Sequence, residues 1–215
     1  NWLLLSASDR LSAFDKFIGD IPLKGILLNE INNYWLQIAK QNNLPVCEFK
    51  KIDSRTMKMK KLKPFKLEVI VRNYLTGSFA RLYQKGHQAL EPPLKQGLKE
   101  YEQLSYPTIT PTTKGENGEH DRPLTEKNII SKKICSSSQW ESIKKIAIEL
   151  FKLGSKIYKD HGWILVDTKY EFAQDDLGQI FIIDEIHTPD SSRLWKENTY
   201  ETRIKNHLPP DMFDK

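Results

Sequence analysis

The residues best suited to chemistry lie in the segment 164–195, where ionisable side chains recur at every second position. Asp167, Lys169 and Glu171 alternate with apolar or bulky residues, and this period of two predicts a β-strand with the charged groups on one face. Carboxylates that converge on one face repel each other unless a cation joins them. Because Mg²⁺ binds carboxylates and bridges to phosphates, this face predicts a magnesium–phosphate site with Lys169 as an added positive charge.

Asp184 joins this face only if the connection between two strands has the right length. The run Asp-Asp-Leu-Gly at 175–178 is turn-forming, and the apolar strand after it ends just before Asp184. A two-residue turn at 176–177 predicts that Asp184 lies opposite Lys169, whereas another loop length moves it to the other face. The alternative for the whole face is an ordinary solvated sheet surface. The strongly apolar runs on either side argue against that alternative.

The overall composition favours anionic small molecules as ligands. The chain has 215 residues and a formal net charge of +5, with room for one or two domains and a sizeable core. Its lysines and glutamates are interspersed, so we expect phosphorylated small molecules and no nucleic acid. No apolar run approaches the roughly 20 residues of a membrane helix, so no membrane association is expected. The sequence leaves open whether the protein forms a homo-oligomer.

The ends and the cysteines indicate a cytoplasmic protein that extends beyond this sequence. Cys47 and Cys135 have no metal-ligand or redox spacing, which is typical of reduced thiols in the cytosol. No signal peptide precedes the first apolar run. The chain begins with Asn1 instead of an initiator Met, and its first residues resemble an internal strand. We therefore expect an N-terminal segment that precedes this sequence.

A second candidate phosphate site follows the predicted strand 67–72. Thr-Gly-Ser at 76–78 breaks that strand and opens a short helix, with Ser78 as its cap and Gly86 as its stop. Backbone N–H groups at a helix start, together with the nearby Arg72, can hold a phosphate group. A generic strand–turn–helix has the same pattern, so this signal is weak by itself.

The N-terminal part offers a further candidate at the end of a strand. Residues 2–7 are predicted to be a strand, and residues 8–15 a polar loop. Asp9 or Ser12 in that loop could simply cap a helical turn, which is a frequent arrangement. The alternative is that the loop lines a ligand site, and composition alone favours the cap.

Three other segments complete the predicted organisation. Helical spacing predicts helices over 27–41 and from a capping box at 138–141 to Gly162. The lysine-rich run 58–66 is either a solvated linker or a hinge between two lobes, where one lysine reaches a phosphate. The polar run 110–121 is predicted to be a surface loop, and such loops also carry substrate contacts. Strands and helices from residue 68 onward predict an α+β lobe.

Together these segments resemble the SAICAR synthetase family, and they occur in the family's order over nearly the whole chain. The matching motifs are Asp9-Arg10-x-Ser12-Ala13-Phe14-Asp15; Pro22-x-Lys24-Gly25; Glu68-x-x-Val71-Arg72-x-Tyr74-x-Thr76-Gly77-Ser78; Thr112-x-Lys114 with Gly118-Glu119-His120-Asp121; Asp167-Thr168-Lys169-x-Glu171-Phe172; and Asp184-Glu185-x-x-Thr188-Pro189-Asp190-Ser191-Ser192-Arg193-x-Trp195. No single motif is decisive, but six in register make coincidence very improbable.

The resemblance implies an ATP-dependent ligase of de novo purine biosynthesis. Members of the family use ATP to activate the carboxylate of an imidazole ribonucleotide (CAIR), and the amine of L-aspartate then attacks it to give SAICAR, ADP and phosphate. The implied fold is α+β and two-lobed, with antiparallel sheets, flanking helices and the ATP site between the lobes. We place the N-terminal nucleotide-binding lobe at 1–66 and the substrate lobe at 67–215. The family's front strands, its ATP loop and its C-terminal helices would lie outside this sequence.

The resemblance also assigns roles to the residues already named. Glu171 and Asp184 match carboxylates that hold magnesium on ATP, and Asp167 and Lys169 match residues beside the imidazole carboxylate, where a second magnesium can sit. Arg72, Ser78 and Arg193 match residues that bind the substrate. Asp167, Lys169 and Glu171 form the catalytic set. Six further residues are assigned to substrate binding: Lys114, His120, Asp121, Asp9, Arg10 and Ser12. Lys63 is assigned to ATP binding. The family signature at 9–15 overturns the simple cap preferred above. A small-molecule kinase of related fold is the alternative, and it would turn over ATP without aspartate.

Overall fold

The computed structural model of the protein describes residues 1–13, 16–86, 94–115 and 122–213. Strands and helices alternate along the chain. The strands are β1 (Trp2–Ser6), β2 (Arg10–Ala13), β3 (Lys16–Asp20), β4 (Phe49–Lys51), β5 (Thr56–Lys60), β6 (Lys63–Pro64), β7 (Leu67–Tyr74), β8 (Gln103–Thr113), β9 (Trp163–Gln174), β10 (Ile180–Ile183) and β11 (Ser192–Lys196). The helices are α1 (Lys24–Gln41), α2 (Gly77–Gln84), α3 (Glu126–Ser131), α4 (Ser137–Asp160) and α5 (Glu197–Lys205).

The predicted α+β class is confirmed, and the strands form separate antiparallel sheets. The N-terminal part holds a three-stranded sheet in the order β1-β5-β4 and the two-stranded hairpin β2-β3. The larger sheet has the order β10-β9-β7-β8, and β6 and β11 also pair with β9. The 12-residue strand β9 is therefore the central strand of the molecule. Its neighbours place their side chains beside the charged face predicted at Asp167, Lys169 and Glu171.

One apolar core joins α1 and α4 to the three-stranded sheet and to the larger sheet. Trp35 of α1, Met57 of β5 and Ile143 of α4 are all nearly inaccessible and belong to the same buried cluster as Val69 and Phe172 of the larger sheet. Burial on this scale supplies most of the stabilisation of a domain. Helices α1 and α4 thereby hold the larger sheet from its apolar side and leave its charged side free for ligands. The lobe boundary at residues 66 and 67 stays a prediction.

Two predictions for local structure were wrong. The predicted loop 8–15 contains strand β2, which hairpins with β3. The polar run 110–121 was predicted to be a surface loop, yet its first four residues belong to β8, an 11-residue strand that contains Pro107 and Pro111. Among the strands of the larger sheet it neighbours only β7 and so lies at an edge, where proline is tolerated because the missing N–H need not bond a neighbouring strand.

Helix starts were predicted more closely. Helix α4 begins two residues before the predicted capping box, because Ser136 and Gln139 form the reciprocal cap. The backbone N–H of Gln139 donates to Ser136 Oγ at 3.2 Å, and that of Ser136 donates to Gln139 Oε1 at 2.8 Å. Helix α2 begins at Gly77, with Thr76 instead of Ser78 in the N-cap position. Across the described ranges, no helix has the length and apolar character needed to cross a membrane.

Candidate active site

The charged face of β9 holds a compact cluster of lysines and carboxylates. The Nζ atom of Lys169 lies 3.2 Å from Glu68 Oε1, 3.1 Å from Glu171 Oε1 and 4.0 Å from Asp184 Oδ2. Lys114, at the end of β8, donates to Glu171 Oε2 at 2.5 Å. The predicted convergence of Lys169, Glu171 and Asp184 is therefore confirmed. Two cations now lie among three carboxylates.

Asp184 reaches the cluster by a route that the sequence did not predict. Ile183 pairs with Glu171, so a continued strand would put Asp184 opposite Tyr170 and not opposite Lys169. The predicted two-residue turn was wrong, because Asp175 Oδ1 accepts hydrogen bonds from the N–H groups of residues 177 and 179 and widens the loop. Strand β10 ends at Ile183, and Asp184 has a φ of 63°. This left-handed backbone turns its side chain towards Lys169.

Burial and charge oppose each other at the two carboxylates. Burial would raise the pKa of Glu171, but the hydrogen bond from Lys114 and the positive charge of Lys169 lower it overall. The pKa of Asp184 is raised by burial and by the negative charge of Glu171. Lys169 keeps its charge, because its three acidic neighbours raise its pKa despite burial. The cluster is therefore short of positive charge at Asp184, and an added cation would stabilise it.

Asp167 is the centre of a second charged group, which lies on the same face of β9, two residues before Lys169. Its Oδ2 accepts from Arg72 Nη1 at 2.7 Å and from Arg193 Nη2 at 2.6 Å, and its Oδ1 accepts from Arg193 Nε at 2.9 Å. Asp167 and Arg72 are 4% and 6% exposed. Arg72 also donates to Thr110 Oγ1 at 2.8 Å. Both oxygens of Asp167 thus orient the two guanidinium groups predicted to bind substrate.

The Thr-Gly-Ser turn lies against this pair of arginines. Gly77 has a φ of 59°, and a Cβ atom built there would collide with Nη1 of Arg193. The Arg72 guanidinium lies over the Phe79 ring, 5.4 Å from its centroid. Ser78 is exposed at the first turn of α2. The structure therefore brings together Arg72, Arg193 and the start of α2, as a phosphate site requires.

We expect Gly77→Ala to weaken binding of the imidazole nucleotide, because the added methyl group displaces Arg193. Gly86→Ala is the matched control, since Gly86 has a similar φ of 67° but open space around it. Both variants should lose about 1 kcal/mol of stability through the left-handed backbone. Only Gly77→Ala should raise the KM for the nucleotide, by about tenfold. Equal KM values for the two variants would remove Gly77 from the site.

A cleft of about 700 Å³ opens between the N-terminal segment, α1 and the loop after Asp184. Arg10 and Ser12 line it, in keeping with their assignment to a ligand site. Lys24 and Asp190, on opposite walls, form an ion pair. The cleft therefore links the N-terminal segment with the carboxylates that follow β10.

Asp9 has a structural role in this region. Its carboxylate accepts two hydrogen bonds from Arg55, at 2.6 and 2.9 Å, and a third from the N–H of Gly25 at 2.9 Å. The hydrogen bond from Arg55, then that from Gly25, lowers the pKa of Asp9 to about 2. Asp9 thereby ties the start of α1 to the β4–β5 connection. The cap favoured by composition was expected in the loop itself, whereas Asp9 meets the distant helix α1, and its assignment to substrate binding stays a prediction.

The remaining candidates lie elsewhere. Lys63 is exposed and pairs with Gln174 at the far end of β9, three residues beyond Glu171, in a cleft that Lys132 and Lys133 also line. His120 and Asp121 fall outside the described residues. Their assignments, and that of Lys63 to ATP, stay predictions.

Several residues of the site had no sequence signal of their own. Glu68 was part of a motif, but only the pairing of β7 with β9 places it beside Lys169. The Lys24–Asp190 pair joins positions 166 residues apart. Arg55, which no sequence motif singled out, donates two hydrogen bonds to Asp9. Long-range pairing of this kind cannot be inferred from spacing within one segment.

The comparison with known families covers the entire chain. The model of the family described as SAICAR synthetase matches residues 1–215. The chain belongs to the SAICAR synthetase family. A phosphoribosylaminoimidazole-succinocarboxamide synthase of Flavobacterium psychrophilum is 39% identical over 99% of this chain and 68% of its own length. A chloroplastic synthase of Vigna aconitifolia is 38% identical over 100% of this chain and 64% of its own length. The chain thus spans about two thirds of these relatives.

Solved structures agree with this assignment. A SAICAR synthase of Saccharomyces cerevisiae in complex with SAICAR has a TM-score of 0.81 and 29% identity, over 93% of this chain and 72% of that one. A SAICAR synthetase in complex with ADP has a TM-score of 0.79 and 26% identity, over 93% of this chain and 79% of that one. The predicted two-lobed SAICAR synthetase fold is confirmed. The kinase alternative has no support in these comparisons.

Proposed function

We propose that this chain is the catalytic body of an ATP-dependent ligase that joins L-aspartate to the carboxylate of CAIR, giving SAICAR, ADP and phosphate. Membership of the SAICAR synthetase family and the arrangement of two charged centres along β9 support this proposal. The observation that carries it is the adjacency of these centres. An arginine pair suited to a phosphate lies one pleat from a lysine–carboxylate cluster suited to a nucleotide's metal ion.

Arg72, Arg193 and Ser78 bind the ribose phosphate of the imidazole nucleotide. A guanidinium group matches phosphate oxygens with two parallel hydrogen bonds, and Asp167 already fixes the orientation of both arginines. Backbone N–H groups at the start of α2 add a favourable dipole for a phosphate. The imidazole ring then extends along β9 towards Lys169. Its carboxylate meets the lysine's positive charge there.

Glu171 and Asp184 hold magnesium on the phosphates of ATP. Two carboxylates on one face, with a shortage of positive charge at Asp184, fit a hard cation that completes its coordination with phosphate oxygens. The ion, when bound, neutralises charge that develops on the transferred phosphoryl group. Lys169 stays charged beside it and stabilises the negative charge shared by the phosphate and the carboxylate. Lys114, now on Glu171, is positioned to move to a substrate anion.

The cleft between the N-terminal segment and α1 belongs to the same site. Arg10 and Ser12 line it, and Asp184 forms part of its wall. Polar groups of this kind suit the carboxylates of L-aspartate and the ribose of a nucleotide. The roles of individual residues here stay proposals. Membership of the SAICAR synthetase family supports a role in purine biosynthesis, and a cytoplasmic location is part of this proposal.

The decisive experiment measures ADP release by the full-length protein with ATP, Mg²⁺, CAIR and L-aspartate. We expect release to require all four, with one SAICAR formed for each ADP. Omitting aspartate should lower the steady-state rate to the background of ATP hydrolysis. ADP release at the same rate without aspartate would overturn the ligase proposal and indicate a kinase or an ATPase.

A further inference from the structure

His187 lies beneath the site and is completely buried. Its ring meets residues from three separate elements. The edge of the ring meets Trp35 of α1, with centroids 4.6 Å apart, and its Nε2 atom lies 2.5 Å from the hydroxyl of Tyr170 on β9. On the third side it fills a notch in α4, where a Cβ atom on Gly154 would collide with the ring. Tyr158, also on α4, donates to the carbonyl oxygen of His187 at 2.6 Å.

These contacts hold a backbone conformation that costs free energy. His187 has a φ of 55°, a left-handed value that is uncommon for residues other than glycine. Such a conformation persists only where its surroundings fix it. Burial also lowers the pKa of His187 to about 3, so the ring is the neutral imidazole at physiological pH. The turn therefore depends on the packing of the His187 ring and not on its charge.

The chain that leaves His187 carries two residues of the site. Thr188 donates to Glu185 at 2.6 Å, and the N–H of Ser191 donates to the Thr188 carbonyl at 3.1 Å. Ser192 then donates to Thr168 of β9 at 2.8 Å. This loop, residues 187–193, presents Asp190 to Lys24 and Arg193 to Asp167. A turn fixed at its first residue therefore sets where both side chains lie.

We propose that His187 is a positioning residue for substrate binding: its ring, locked between Gly154, Trp35 and Tyr170, sets the turn that delivers Arg193 to the phosphate of the imidazole nucleotide. The proposal rests on the proposed function, because it takes Arg193 as a substrate contact. His187 itself touches no reacting atom. A residue of the hydrophobic core alone would affect stability and leave the binding of nucleotide unchanged.

Gly154→Ala tests the proposal without altering His187 itself. Alanine is the better helix former by about 1 kcal/mol, so any loss arises from the methyl group that pushes the ring. We expect the KM for CAIR to rise about tenfold, since small displacements of binding groups have effects of this size. The KM for ATP should change less than twofold. Equilibrium binding of CAIR, measured by calorimetry, should weaken by the same factor as the KM rises.

Ile143→Val is the matched control. Ile143 is fully buried and lies about three turns from Gly154 in the same helix, and its truncation costs about 0.5–1.5 kcal/mol. A second variant, Tyr170→Phe, removes the one hydrogen bond that the ring makes within the described part of the chain, and it should raise the KM for CAIR in the same direction. This variant keeps the test valid if Gly154→Ala does not fold.

The outcomes separate this proposal from the function itself. If wild-type ADP release does not depend on aspartate, the proposed ligase fails, whatever the variants do. If it does depend on aspartate, and Gly154→Ala or Tyr170→Phe matches Ile143→Val in its KM and affinity for CAIR, His187 is a core residue only. A selective loss of CAIR affinity supports its positioning role.

Discussion

Replacing Asp167 with alanine is expected to lower the free energy of unfolding by about 3–5 kcal/mol, the usual cost of removing one partner from a buried ion pair. Arg72 is 6% exposed and would keep the hydrogen bond from its Nε atom to the hydroxyl of Thr110. Arg193, a second positive charge, lies beside it. Without Asp167 the two arginines would repel each other, and the charge of Arg72 would be buried away from water. Urea denaturation at neutral pH measures the loss.

The control is a carboxylate with a lysine partner on the surface. Glu141 lies 2.7 Å from Lys144 on α4, and its side chain is 62% exposed. Glu141→Ala should change stability by no more than about 0.5 kcal/mol. A loss below 1 kcal/mol for Asp167→Ala would mean that water or an anion replaces the carboxylate easily. The arginine pair would then not depend on Asp167 for its orientation.

Added substrate should oppose this loss. The phosphate of CAIR, or inorganic phosphate at high concentration, offers the negative charge that Asp167 supplied. A ligand that binds only the folded state stabilises it by an amount that grows with the logarithm of its concentration relative to Kd. Millimolar phosphate should therefore raise the urea midpoint of Asp167→Ala more than that of Glu141→Ala.

The charged face of β9 could be predicted from the sequence because a strand's period fixes which side chains share a face. Asp167, Lys169 and Glu171 needed no knowledge of any other segment. The register of β10 was different, since it depends on the hydrogen bonds that Asp175 makes within the turn. The predicted register of β10 was wrong, and Asp184 still joins the cluster because its positive φ reorients the side chain. Local backbone conformation of that kind leaves no periodic signal.

Residues brought together from distant segments were also hidden from the sequence. The pairing of Lys24 with Asp190, and the notch that Gly154 offers to His187, depend on how α1 and α4 pack over the sheet. Strand β8 was missed because its prolines resemble those of a loop, although an edge strand tolerates them. Family resemblance supplied the roles of Arg72 and Arg193. Only the structure placed Asp167 between them.

Lys169→Met is expected to lower kcat by about 10²–10³-fold, the usual effect of removing one preorganised electrostatic contact from an active site. Methionine keeps much of the lysine's length and apolar contact, but it leaves Glu68, Glu171 and Asp184 without their shared cation. Lys114 remains paired with Glu171, so the loss of positive charge affects mainly Asp184. Steady-state ADP release with saturating ATP, CAIR and aspartate measures it. Lys144→Met removes a lysine of similar exposure from two carboxylates outside the site, and it should leave kcat unchanged.

Stability should reveal the same deficit through its dependence on pH. In the wild type, the pKa of Glu171 is lowered overall, so its contribution is present above the ordinary carboxyl pKa of about 4 and is lost as pH falls. Without Lys169, the pKa values of Glu171 and Asp184 rise in the folded state. The folded variant then binds more protons than the unfolded chain, and its stability falls as pH rises. The urea midpoint of Lys169→Met should therefore lie further below wild type at pH 8 than at pH 5.

Magnesium distinguishes this cause from simple loss of packing. A divalent cation that binds between Glu171 and Asp184 would replace part of the missing charge, so Mg²⁺ should raise the midpoint of Lys169→Met at pH 8 more than at pH 5. Lys144→Met should show no such difference, because its two carboxylates, Glu126 and Glu141, are both at least a third exposed and are screened by water. A midpoint for Lys169→Met that is independent of both pH and Mg²⁺ would leave the lysine as a packing residue. The stability of the cluster on β9 would then not depend on the balance of its charges.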